Sequence, residues 1–280
     1  VTGTMIVGGV CGQNGTNGTL QKCYNTNTVS GTNYVGGVCG TQVKGTVQEC
    51  YNTGKVTGAI TGEFGCIGGV CGWNSNGILE KSYNTHTVSG TKFVGGVCGK
   101  NNNTVNGCYN TGTVTGTGES IGGVCGQNKN TVNGCYNTGD VSGKGSKVGG
   151  VCGDNYHVSD SSNNSTVNGC YNTGNVTGTS NYVGGVCGNN YGGTVQGCYN
   201  TKAVKGSSTV GGVCGQNARN GTVEGCHNEG NVTGTADDGQ QVGGVCGYIE
   251  SGTVKECHND GTVTGTMIVG GVCGQNGTNG

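Results

Sequence analysis

The pentapeptide Gly-Gly-Val-Cys-Gly occurs ten times in this chain, with its cysteine at Cys11, Cys39, Cys71, Cys98, Cys125, Cys152, Cys187, Cys214, Cys246 and Cys273. Successive copies lie 28, 32, 27, 27, 27, 35, 27, 32 and 27 residues apart. A period near 27 with sporadic insertions marks a solenoid, whose units bury their inner faces only by stacking on one another. That constraint outranks any local propensity.

Each unit repeats one order: a β-type hydrophobe, Gly-Gly-Val-Cys-Gly, a polar corner, Thr-Val, Cys-Tyr-Asn-Thr-Gly and Val-Thr-Gly, seen cleanly from Val94 to Gly116. Short runs of Val, Thr, Tyr and Cys broken by Gly and Asn predict three brief strands per unit, and no window has a helical period. The predicted fold is therefore all-β: a parallel β-solenoid, or β-helix, of about ten coils, with residues 1–280 forming one repeat array. Ten coils at ~4.8 Å each give a rod of roughly 45 to 50 Å. The insertions fall at corners, around Ala59 to Gly65, Tyr156 to Asn164 and Ala236 to Gln241, so that the strands keep register.

Composition agrees with a thin core. Gly is 66 of 280 residues, Pro is absent and hydrophobic residues are 31 %, which also rejects collagen. Thirteen basic and 14 acidic residues are scattered singly for a net charge of -1, so no stripe tracks phosphates and nucleic acid is not an expected partner. No stretch reaches the ~18 apolar residues of a membrane span, so membrane insertion is not expected. The chain opens without a charged-then-apolar leader and reads as a mature or excised segment. Nineteen cysteines fit an oxidising compartment, which predicts an extracellular or cell-surface location.

The columns have structural readings. Asn25, Asn52, Asn84, Asn110, Asn137, Asn172, Asn200, Asn228 and Asn259 form an unbroken column, predicted to stack amide on amide. Gly two residues later, replaced by Asn27, His86 and Lys202, reads as a left-handed corner that strains the last two. The tyrosines beside the Asn column, continued by His227 and His258, read as a surface ladder. Gly107 is expected to allow a bulge that brings Val105 and Cys108 inward together. Adjacent Val97 and Cys98 should split, one inward and one outward. Carboxylates share no column, and zinc-type cysteine spacing is absent, so no catalytic group, cofactor or metal site is predicted.

The two cysteine columns are predicted to pair within coils: Cys11 with Cys23, Cys39 with Cys50, Cys98 with Cys108, Cys125 with Cys135, Cys152 with Cys170, Cys187 with Cys198, Cys214 with Cys226 and Cys246 with Cys257. In the third coil Ser82 replaces the second cysteine, and Cys66 appears five residues before the orphaned Cys71. A Cys66 to Cys71 bridge would complete the set, provided the Cα atoms come within about 4.4 to 6.8 Å.

The repeated text GGVCG, TVNGCYNTG and NVTG resembles the GLUG repeat family, found as tandem arrays in bacterial cell-surface and secreted proteins. The resemblance implies a non-catalytic stalk or adhesive region, and the dense cysteines point to a hardened variant. The expected function is an extracellular structural rod or filament stabilised by disulfides. The alternative is an adhesin stalk whose exposed columns, or the loop from Tyr156 to Asn164, bind surface glycans. Residues 1–18 recur letter for letter at 263–280, which predicts a 262-residue super-repeat and self-continuation, covalent or by head-to-tail stacking.

Overall fold

The computed structural model describes residues 1–59, 65–157 and 164–279, and every strand within them belongs to one parallel β-solenoid. Each coil stacks on the next in homotypic register: Val105 pairs with Val132, Tyr109 with Tyr136, Cys98 with Cys125. The three predicted runs per coil are present, and two of them are bent into pairs, giving five short strand columns. In the fourth coil these are Val94–Gly95, Cys98–Asn101, Thr104–Asn106, Tyr109–Asn110 and Val114–Gly116.

The first bend is the Gly-Gly-Val corner. The N–H groups of Val97 and Cys98 both donate to the Val124 carbonyl, each at 2.9 Å, so the chain wraps round a single acceptor and both side chains turn inward. Neither is exposed. The expectation that one must face solvent assumed an unbroken pleat and is overturned by this corner. The two glycines are fixed by space: a Cβ on Gly95 would lie 1.9 Å from the Cys98 carbonyl oxygen, and one on Gly96 would lie 2.0 Å from that of Gly123.

The second bend is a left-handed residue between Thr-Val-x and Cys. Lys22, Glu49, Lys81, Gly107, Gly134, Gly169, Gly197, Gly225 and Glu256 all have φ between 47° and 58°. This is the expected bulge, and Val105 and Cys108 are both fully buried beside it. The glycines two residues after each Asn behave otherwise. Gly112 and its equivalents, like His86 and Lys202, are not in the left-handed region. Glycine is favoured there because a Cβ on Gly112 would sit 2.1 Å from the His86 carbonyl oxygen of the coil before.

The interior holds two apolar cores. One contains the Val97, Cys98, Val105 and Cys108 columns, the other the Val94 and Val114 columns. Between them the Asn110 column packs on Gly96, whose added Cβ would meet the Asn110 carboxamide carbon at 2.4 Å. Of the corner insertions, Ala236 to Gln241 joins Val232–Gly234 to Gln241–Gly243. The centres of the other two, 60–64 and 158–163, lie outside the described residues.

Candidate functional surfaces

The predicted Asn column is a continuous hydrogen-bonded ladder. Each Nδ2 donates to the Oδ1 of the next coil, from Asn25 to Asn52 at 2.7 Å, through Asn84, Asn110, Asn137, Asn172 and Asn200 at 2.8 Å, to Asn228 and on to Asn259 at 2.7 Å. The other amide hydrogen goes to the carbonyl two residues on, as from Asn110 to Gly112 at 2.6 Å. Asn52 through Asn228 are fully buried, so the ladder satisfies its own polar groups where water cannot.

A second ladder was not foreseen. Asn74, Asn101, Asn128, Asn155, Asn190 and Asn217 are fully buried and linked at 2.8 Å. Its signal is the Asn three residues after each Gly-Gly-Val-Cys cysteine, with Gln42 and Ile249 as interruptions. The predicted aromatic column is a stack of nine rings from Tyr24 to His258, with centroids 4.7 to 5.1 Å apart and planes within 12°.

All nineteen cysteines are free thiols. Within the two columns like sits beside like from coil to coil. In the second column each backbone N–H donates to the next sulfur at 3.3 to 3.4 Å, as from Cys108 to Cys135 and from Cys135 to Cys170. Ser82 takes the missing sulfur's place, accepting from the Cys50 N–H at 3.0 Å. Cys71 has Cys39 and Cys98 as hydrogen-bonding neighbours. Cys66, in register with Tyr34, belongs to neither core. Burial pushes the thiols of Cys66, Cys125, Cys135, Cys152 and Cys198 well above the usual thiol range, which keeps them protonated and slow to react.

Across the outer face runs a track that no single column reveals, contributed by seven successive coils. Tyr34 stacks on Trp73 at 5.5 Å, and Trp73 is the register partner of Lys100. The Lys100 ammonium lies 4.3 Å from the centre of Phe93, itself left-handed at φ 49°. Lys129 lies over Tyr156 at 5.6 Å, Tyr156 stacks on Tyr191 at 5.1 Å, and Arg219 lies over Tyr191 at 5.2 Å. Tyr34, Trp73, Lys100, Asn102 and Lys129 enclose a cleft of about 290 Å³. The buried Asn102 Oδ1 has no hydrogen-bond partner there. Burial pulls the Lys100 ammonium below the usual lysine range; Lys129 and Lys92 add to this, and Cys66 and Glu119 oppose it.

Fold and columns together define a β-solenoid repeat protein, built of near-identical coils stacked through homotypic ladders. Two of those coils, residues 206–233 and 238–264, match the family described as the GLUG motif, so the chain carries the repeat that its text resembles. No curated protein and no solved structure matches it. Among the described residues no helix is long and apolar enough to cross a membrane.

Proposed function

We propose that this chain is a mechanical element of an extracellular or cell-surface filament, a non-catalytic rod that continues into further coils, covalently or by head-to-tail stacking. The observation that carries the reading is the fit of one text to two neighbours. As the first coil, residues 1–18 pair upward, Ile6 with Tyr34 and Cys11 with Cys39. As the last coil, the same text at 263–280 pairs downward, Ile268 with Gln241 and Cys273 with Cys246. Both faces of this coil therefore have a known complement, and an interior coil needs both.

In oxidised material the cross-links expected from the sequence are the within-coil pairs, closing loops that contribute on the order of 2 to 4 kcal/mol each. Support comes from the two columns lining one core. Peptide mapping of non-reduced protein cut with trypsin and a glutamate-specific protease, which separates Cys108 from Cys125 at Glu119, tests the pairing: bridges such as Cys98 to Cys108 are expected, and bridges along a column, such as Cys98 to Cys125, would overturn it. Electron microscopy of the native material tests the filament. Unbranched fibres with an axial repeat of about 43 Å, nine coils at one strand spacing each, are expected, and a compact intracellular monomer would overturn the reading.

A further inference from the structure

The cleft between the second and fifth coils has the chemistry of a ligand site. Its floor is apolar and rigid, since Tyr34 covers one face of the Trp73 indole at 5.5 Å. Its far side carries the ammonium groups of Lys100 and Lys129. Among the described residues neither they, nor Lys92 nor Arg219, enter a salt bridge, whereas the buried Asp154 nearby is held by Lys147 at 3.1 Å, Gln127 and Asn189. Asn102 lines the same cleft and brings a polar amide to it. An indole beside two ammonium groups outside any salt bridge and an amide matches a sugar ring that bears an anionic group and free hydroxyls.

We propose that this cleft binds an acidic polysaccharide, with one carboxylated sugar against Trp73 and its carboxylate on Lys100 and Lys129. Beyond the cleft, the polymer follows the axis along the outer edges of the stacked Tyr156 and Tyr191 rings to Arg219. A pyranose unit is about as long as one coil's rise of ~4.8 Å, so successive sugars meet successive coils. A single-stranded nucleic acid fits less well. Its bases need free ring faces, and here Tyr156 and Tyr191 already stack on each other and lie under Lys129 and Arg219. The proposal is independent of polymerisation, because the whole track lies within one chain.

Trp73 is the only tryptophan, so its emission reports on the cleft directly. Titration of the intact chain with a galacturonic acid hexamer should shift that emission saturably, and a neutral cellohexaose should not. The double substitution Lys100→Gln and Lys129→Gln should weaken the acidic ligand at least a hundredfold, since both charge-assisted bonds are lost. Lys55→Gln, outside the track, should change affinity less than about twofold, and far-UV circular dichroism confirms that each variant folds. No saturable shift up to millimolar hexamer, or unchanged affinity in the double variant, would overturn the proposal. Tighter binding of a twelve-nucleotide oligothymidylate to the same lysines would replace it with nucleic-acid recognition. Neither result bears on whether the rods form filaments.

Discussion

The substitution Asn137→Ala tests whether the buried amide ladder holds the coils together. Asn137 accepts from Asn110 at 2.8 Å and donates to Asn172 at 2.8 Å and to the Gly139 carbonyl at 2.6 Å. Without it, one Asn110 N–H and the Gly139 carbonyl lose this partner at a site with no exposure, while Asn172 Oδ1 keeps the Gly174 N–H at 3.3 Å. Two orphaned buried groups at about 1 to 3 kcal/mol each give a loss of about 2 to 6 kcal/mol. The control is Asn168→Ala, whose amide makes a comparable 2.8 Å bond to Asn133 on the exposed surface and should cost less than about 0.5 kcal/mol. Urea unfolding under reducing conditions measures both. Because a solenoid's stability is a sum over neighbours, amide exchange should accelerate first in the fourth to sixth coils. Asn137→Asp separates hydrogen bonding from volume: its carboxylate would face the Gly139 and Asn172 oxygens, raising its folded pKa. Stability should be retained below the unfolded carboxyl range near ~4 and lost as pH rises through the folded value. Equal losses for Asn137→Ala and Asn168→Ala would refute the argument.

Three further outcomes follow from the packing. Gly123→Ala should abolish folding, because its Cβ would lie 2.0 Å from the Gly150 carbonyl oxygen. Gly134→Asn should cost no more than about 1 to 2 kcal/mol, because nothing lies within 4 Å of that Cβ and Lys22 and Glu49 already adopt the same left-handed backbone. Burial raises the folded pKa values of Cys66, Cys125, Cys135, Cys152 and Cys198, so the reduced chain should lose stability as pH rises above the unfolded thiol range near ~8.5. Urea titrations at pH 7.5 and 9.5 check this, and a flat profile would contradict it.

The repeat made the architecture legible because homotypic stacking turns a period in sequence into a column in space. The Asn25 and Tyr24 columns needed no further information. What failed was reasoning that treated each strand as an ideal pleat. Alternation assigned Val97 and Cys98 to opposite faces, yet a corner round one carbonyl turns both inward. Gly112 invited a backbone-angle argument, but its constraint is the carbonyl of the preceding coil, which no single coil displays. The outer track was hidden for a related reason. Lys100 follows its coil's cysteine by two residues, Lys129 and Tyr156 follow theirs by four, and Arg219 by five. Only the bend of the sheet brings these positions into one line.

Register is the problem that such a thin core must solve, and the two Asn ladders solve it from inside. A one-residue slip already turns the Val and Cys columns to the wrong face, and small side chains add little discrimination beyond that. An Asn displaced by one position would instead exchange a 2.8 Å amide bond for a buried orphan on both adjoining coils, at about 1 to 3 kcal/mol per group. The ladders tolerate insertions only where these fall between columns, which is where Ala236 to Gln241 lies, between Val232–Gly234 and Gln241–Gly243. Gln42 shows the limit of this rule. With one methylene more than Asn, its Nε2 reaches past the ladder to the carbonyls of Gly45 and Ile78 at 2.9 and 2.7 Å, and its own Oε1 is left buried without a partner. Gln42→Asn should therefore join Asn14 to Asn74 through a continuous second ladder and raise stability by about 1 kcal/mol. A variant less stable than the parent would show that side-chain volume, rather than the amide relay, sets the register at that coil.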